Sequence, residues 1–275
     1  MLITKGIYGS RKKEEIMEDY AGKTVVITGG TSGLGFALAK ILGGRGASIV
    51  ITGRREEKGA EAVEKLQAEG VSARYLRQDV SSESDWNNLA FTVKSEFGGV
   101  DYLFNNAGVM LQPHALMKTS VSDWKWIMDT NFWGSLYGLR VFSGLMFTQP
   151  EGGRIVTTAS TAGVSAFSGW APYSVTKTAL VRLVENYQAE AIKFELDKVK
   201  YNVSLPGVFE SEIANSTLHR NEEYNNINGN GQEIPLSVAH TESGDRLGML
   251  TAEETAQIIL DQIDEGCFYL LPHAD

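Results

Sequence analysis

"TVVITGGTSGLGFALAKILGG", residues 24–44, carries a strand, a turn and a helix in one stretch. Thr24 to Thr28 is short and β-branched, the pattern of a buried strand. Gly29, Gly33 and Gly35 then turn the chain, and "FALAKILGG" reads as a helix. Glycines at a strand-to-helix junction let the backbone come close to an anion. There the first N–H groups of the helix and its positive dipole end are unpaired. Gly29, Thr31, Ser32, Gly33, Leu34 and Gly35 are therefore candidates to cradle a pyrophosphate. The spacing is G-x-x-x-G-x-G rather than the commoner G-x-G-x-x-G. "GKT" at 22–24 is not a triphosphate-binding loop, because it precedes the strand and Met17 stands where that loop needs glycine.

Outward from this unit the signals keep alternating. "SIVIT" (48–52) predicts a second strand, "EEKGAEAVEKLQAEG" a helix stopped at Gly70, and "ARYLRQD" a weaker third strand. A helix is expected over 83–97, a fourth strand in "VDYLFNNAG" (100–108), and a long helix over 122–147. Gly134, Gly138 and Gly144 inside that helix either allow close packing or simply weaken it. "GRIVTTAS" is a fifth strand, 172–196 a helix, "VKYNVSL" a sixth strand and "CFYLL" a last strand. The last helix starts at Thr251, with Glu254 in the capping-box position. This β-α-β rhythm predicts an α/β fold: one doubly wound parallel sheet with helices on both faces. Residues 1–20 read as an N-terminal arm and 21–275 as a single domain. Residues 208–248 are polar, Asn-rich and aperiodic, which marks a lid or a disordered segment; the lid is the expectation carried forward.

Composition narrows the function classes. The chain has 275 residues, 43% of them hydrophobic, and a net charge of −9. That charge argues against a nucleic-acid or anionic-membrane surface. Cys267 is the only cysteine, so no intrachain disulfide can form. No apolar run approaches membrane-spanning length and no signal-peptide core is present, so a cytoplasmic protein is expected. His114, His219, His240 and His273 are scattered without metal-ligand spacing, so no metal is expected. "GVSAF" (163–167) lacks the last glycine of a nucleophile elbow.

"WAPYSVTKTAL", residues 170–180, holds the chemistry. Pro172 suits the first turn of a helix, where its missing N–H costs nothing. On that helix Tyr173 and Lys177 are four residues apart and share a face. An ammonium beside a phenol favours the phenolate and draws its pKa down toward neutrality. The pair reads either as a proton donor with its tuner or as an ordinary surface pair.

Taken in order, "TGGTSGLG" (28–35), "NNAG" (105–108), Asn131, Ser160 and "YSVTK" (173–177) resemble the short-chain dehydrogenase/reductases, in their compact single-domain branch. The resemblance runs from about Thr24 to the last strand. It implies a Rossmann-type sheet and an NAD(P)-dependent oxidoreductase that interconverts a small-molecule ketone or aldehyde and a secondary alcohol. Tyr173 would be the general acid/base, Lys177 would lower its pKa and hold the nicotinamide ribose, and Ser160 would align the carbonyl. Asn131 would help carry a water-linked proton relay to Lys177. Asp79 would meet the adenine with Val80 beside it. Asn106, Ala107 and Gly108 would line the cofactor, as would Pro206, Gly207 and Val208. Ser211 stands where the family usually places a threonine. The resemblance also implies a homodimer or homotetramer built on helices 122–147 and 172–196.

Two readings concern specificity. An NAD site usually places an acid at the end of the second strand; Gly53 stands there, followed by Arg54 and Arg55. This points to NADP(H) ahead of NAD(H), with Arg54 and Arg55 on the 2′-phosphate. The competing reading pairs these arginines with Glu56 and Glu57. Ser32 supplies no second positive charge, so use of both cofactors stays open. Met110, Leu111, Ala162, Phe167, Trp170, Val208 and Phe209, placed by adjacency to the motifs, suggest apolar walls for a bulky hydrophobic substrate. His114 reads as a loop residue near them. The alternative class is a catalytically idle NADP-binding regulator.

Overall fold

The computed structural model describes residues 19–113, 115–209, 211–224 and 249–273. Seven parallel strands form one sheet in the order β3-β2-β1-β4-β5-β6-β7. They are β1 (Thr24–Thr28), β2 (Ser48–Gly53), β3 (Ala73–Arg77), β4 (Tyr102–Asn105), β5 (Gly153–Thr158), β6 (Val199–Ser204) and β7 (Tyr269–Leu270). β1 is central, with Ile27 opposite Ile51 on one side and Phe104 on the other, and all five of its residues are buried. A strand covered on both faces needs such an unbroken apolar run.

One face of the sheet is covered by α1 (Gly33–Gly44), α2 (Glu56–Ala68) and α7 (Ala252–Asp264). Leu38, Leu42, Ile259 and Ile263 pack there against Val25, Ile27 and Ile49. The other face is covered by α3 (Glu83–Phe97), α5 (Gly134–Phe147) and α6 (Ala171–Lys193), whose Trp86, Phe142 and Val184 pack on Val26, Leu103 and Ile155. The strand order turns between β1 and β4, one to each side of the first βα unit. In such sheets a crevice opens there, beyond the carboxyl ends of the strands.

Several boundaries differ from the sequence reading, each for a local reason. Tyr20, read as part of the arm, is buried in the core, its ring 5.2 Å from that of Tyr102. Residues 1–18 of that arm lie outside the described residues. The expected helix over 122–147 is α4 (Val121–Ile127) and α5, joined by a π-helical segment, Met128–Trp133. A π segment is a register change that often marks a functional site. Its glycines divide: a Cβ at Gly138 would lie 2.6 Å from the Trp86 ring and one at Gly134 3.0 Å from the Val80 carbonyl, whereas Gly144 faces open space. Two of the three therefore serve close packing. β4 ends at Asn105 rather than continuing to 108, because the next N–H groups are captured by Thr28. α7 begins with the expected capping box between Thr251 and Glu254. Of the expected lid, residues 211–224 form two short 3-10 helices, Glu212–His219 and Glu222–Tyr224; residues 210 and 225–248 lie outside the described residues.

Candidate active site

The carboxyl ends of β1, β2, β4, β5 and β6 line a cleft of about 330 Å³. At its floor is the turn between β1 and α1. Gly29 and Gly33 have φ of 64° and 51°, the left-handed region where a side chain is strained. A Cβ at Gly35 would sit 2.4 Å from the Gly29 carbonyl, so only glycine lets α1 start so close to the strand. Gly30, which the sequence reading passed over, is equally constrained by Ile51 at 2.6 Å. Ser32 is the N-cap of α1, makes no capping bond with its side chain, and no acid stands in the first turn. This helix end is therefore electropositive and aimed at the cleft, and it fits a diphosphate.

Thr28 organises the neighbouring turn. Its Oγ1 accepts from the N–H groups of Asn106 at 2.9 Å and Ala107 at 3.0 Å. The Asn106 side chain donates to the Thr28 carbonyl at 3.0 Å and accepts from Thr158 Oγ1 at 3.3 Å. Asn106, Ala107 and Gly108 thus face the cleft from a braced loop. Asn131, fully buried in the π segment, grips the next residue: its Oδ1 accepts from Val109 N and its Nδ2 donates to Val109 O. The second Nδ2 hydrogen goes to Thr176 Oγ1 at 3.3 Å. Asn131 lies behind the cleft wall, and its carboxamide is largely committed to this clamp. Leu111, expected on the substrate wall, instead packs with Val109, Trp126 and Ile127 in a small core of its own. The same clamp that holds Val109 turns this stretch inward.

Ser160, Tyr173 and Lys177 meet at one end of the cleft. Ser160 caps the short turn Thr161–Gly163 by accepting from Ala162 N at 3.2 Å, and donates to the Pro206 carbonyl at 3.3 Å. Lys177 is buried, donates to the Thr158 carbonyl at 2.8 Å, and places its Nζ 5.5 Å from the centre of the Tyr173 ring. Burial pushes the Tyr173 phenol up to about 12, with the Ser160 hydroxyl pulling the other way. Burial pushes Lys177 down to about 7. Burial is the leading influence on both groups, and in this shared desolvated site it favours the neutral form of each.

The loop after β6 closes the same end. Pro206, Gly207, Val208 and Ser211 line the cleft, with Ser211 beside Gly33. His273 braces this loop: its Nδ1 accepts from Gly207 N at 3.0 Å, which leaves Nε2–H to donate to the Val208 carbonyl at 3.1 Å. Met110, Ala162, Phe167, Trp170, Val208 and Phe209 form a mostly apolar wall, joined by Ile213. His114 lies outside the described residues.

At the far end lie Arg54, Arg55, Asp79 and Val80. Neither arginine pairs with Glu56 or Glu57 or makes any ion pair among the described residues. Arg54 donates instead to Asn221 Oδ1 and, at 2.7 Å, to the His219 carbonyl; Arg55 meets His219 Nε2 at 2.8 Å. Asp79 accepts from Ser81 N and Oγ, as a turn-forming aspartate does, and its other oxygen accepts from Asn221 Nδ2 at 3.2 Å. Hydrogen bonds to Ser81 and Asn221 and the charge of Arg54 outweigh burial and hold its carboxyl below the usual range. No helix of the described residues is long and apolar enough to cross a membrane, and no metal-binding group of His, Cys, Asp and Glu occurs among them.

Comparison with known proteins agrees with this architecture. Residues 23–222 match the short chain dehydrogenase family. A C alpha-dehydrogenase of Sphingobium sp. is 29% identical over 94% of this chain and 83% of its own length. An A-factor type gamma-butyrolactone 1′-reductase of Streptomyces virginiae is 32% identical over 85% of this chain and 90% of its own. Among solved structures, a short-chain dehydrogenase/reductase from Burkholderia phymatum in complex with NAD superposes with a TM-score of 0.83 at 32% identity, over 94% of this chain and 91% of that one. With a family match over most of its length and a solved member of the same fold superposing on nearly all of it, this chain belongs to the short-chain dehydrogenase/reductases, the NAD(P)-dependent oxidoreductases of CH–OH groups.

Proposed function

We propose that this protein is an NADP(H)-dependent oxidoreductase that interconverts a bulky hydrophobic ketone and the corresponding secondary alcohol, or an aldehyde and the primary alcohol. The observation that carries this reading is the convergence of Ser160, Tyr173 and Lys177 in the same cleft as the glycine turn. A nicotinamide cofactor supplies the hydride donor or acceptor when bound. The diphosphate would lie on Gly29–Gly35 at the start of α1, and the adenosine end between Arg54 and Asp79. Ser160 Oγ–H orients the carbonyl oxygen, and Tyr173, kept as a neutral phenol by burial, donates its proton to that oxygen as charge develops. In the oxidation direction Tyr173 must first lose that proton, and a protonated Lys177 beside it favours the loss. Asn131 acts as a positioning residue, holding the loop that faces Lys177, and its remaining Oδ1 lone pair serves a water relay to Lys177.

NADP(H) preference is supported by the missing acid at Gly53 and by two arginines that form no ion pair among the described residues. The apolar wall around Phe167 and Trp170 supports a bulky substrate. NAD(H) is the second reading, favoured by the relative solved with NAD. Absorbance at 340 nm with a panel of ketones and alcohols, run with each cofactor, tests both readings. Turnover with NADPH well above NADH is expected, and faster turnover with NADH would assign the second reading.

A further inference from the structure

The residues expected to hold the adenosine end are already bonded to a turn of the chain itself. Asn221 stands between Arg54 and Asp79: its Oδ1 accepts from the guanidinium and its Nδ2 donates to the carboxylate. The His219 carbonyl takes another Arg54 hydrogen. The turn is also held from its other side. Arg220 pairs with Asp123, donates to Ser122 Oγ at 3.3 Å and lies over the Trp126 ring at 5.0 Å. Tyr224 follows, bonded to Asp129 at 2.8 Å. The strap from 219 to 224 is therefore seated on α4 and the π segment independently of its hold on Arg54.

Every hydrogen-bond partner of Arg54 among the described residues is a neutral oxygen, and the Asp79 carboxylate acts on its charge only from across Asn221. A cofactor that uses Arg54 and Asp79 must displace Asn221 from both. A 2′-phosphate returns stronger, charge-assisted bonds to Arg54, whereas a 2′-hydroxyl returns much less. Both cofactors therefore bear the same cost of displacement, and only the phosphate replaces the bonds that Arg54 gives up. We propose that Asn221 is a built-in competitor that occupies the adenosine end and weakens the binding of either dinucleotide. The proposal rests on the reading of Arg54 and Asp79 as that end.

Fluorescence titration of NADPH and NADH onto the wild type, Asn221→Ala and Arg54→Ala separates the two claims. Asn221→Ala is expected to lower the NADH dissociation constant roughly five- to tenfold, the weight of a hydrogen bond to a charged group. NADPH should gain by a similar factor, because both cofactors displace the same bonds. Unchanged or weaker binding of either cofactor would overturn the role of Asn221. Asn221→Ser, which keeps a smaller polar group, should give an intermediate gain; circular dichroism checks that both variants fold. Arg54→Ala reads the underlying assignment on its own: NADPH binding should weaken by roughly tenfold or more with NADH nearly unchanged. Equal losses there, or a wild type that binds NADH more tightly, would overturn that assignment whatever Asn221→Ala does.

Discussion

Lys177 Nζ stands 5.5 Å from the centre of the Tyr173 ring and donates to the Thr158 carbonyl at 2.8 Å, with its side chain buried. Among the described residues no carboxylate pairs with it, and burial lowers its pKa to about 7. The unfolded chain, with an ordinary lysine near ~10.4, binds more protons than the folded one between about pH 7 and that value. Stability from this group therefore rises with pH across that window. Lys177→Met should remove the effect while abolishing turnover. Melting temperatures from pH 7 to 9 are expected to climb in the wild type and to be flatter in Lys177→Met. Parallel curves would mean that Lys177 is not a desolvated cation in the folded protein.

Thr28 offers a test of the loop that faces the cofactor. It is fully buried and its single hydroxyl oxygen serves two backbone N–H groups. Thr28→Val keeps the shape and strands both donors, which should cost about 2 kcal/mol of stability. Cofactor affinity should fall with it, because Asn106 and Ala107 lose their brace. Thr28→Ser restores the oxygen and should recover most of both. Chemical denaturation with cofactor titration checks this; a Val variant as stable as the wild type would contradict it.

Assembly can be examined on the outer helix faces. Val121, Trp133 and Val175 are large apolar side chains left well exposed, on α4, the π segment and α6. A dimer or tetramer that pairs these helices would cover them. Light scattering at micromolar concentration is expected to give two or four times the chain mass, and Val175→Glu should shift that toward the monomer. A monomeric wild type would refute the assignment.

What the sequence disclosed and what it hid follow from the range of the interactions. The glycine turn, the Tyr–Lys pair and the capping box at Thr251 are each written in one short stretch of chain, so spacing alone exposes them. The π segment at Met128–Trp133 is a register change inside an otherwise helical pattern and leaves no periodic trace. Thr28 reads as an ordinary strand residue until Asn106 and Ala107, far along the chain, are brought to it. His219 and His273 match no ligand spacing, because each acts on a partner brought close only by the fold. Adjacency to Met110 suggests a wall position for Leu111, but side-chain direction in the irregular loop after β4 is set by long-range packing, and Leu111 joins the small core with Trp126 and Ile127.

The central claim is that this cleft transfers a hydride with Tyr173 as its proton donor and acceptor. Tyr173→Phe removes one hydroxyl and keeps the ring over which Lys177 lies. Wild type and variant should be compared at 340 nm on whichever carbonyl the panel selects, with cofactor binding followed in parallel by fluorescence. The account predicts that kcat falls by at least ~10², the lower range for general acid–base catalysis, while cofactor still binds. A variant that keeps most of its turnover would contradict it.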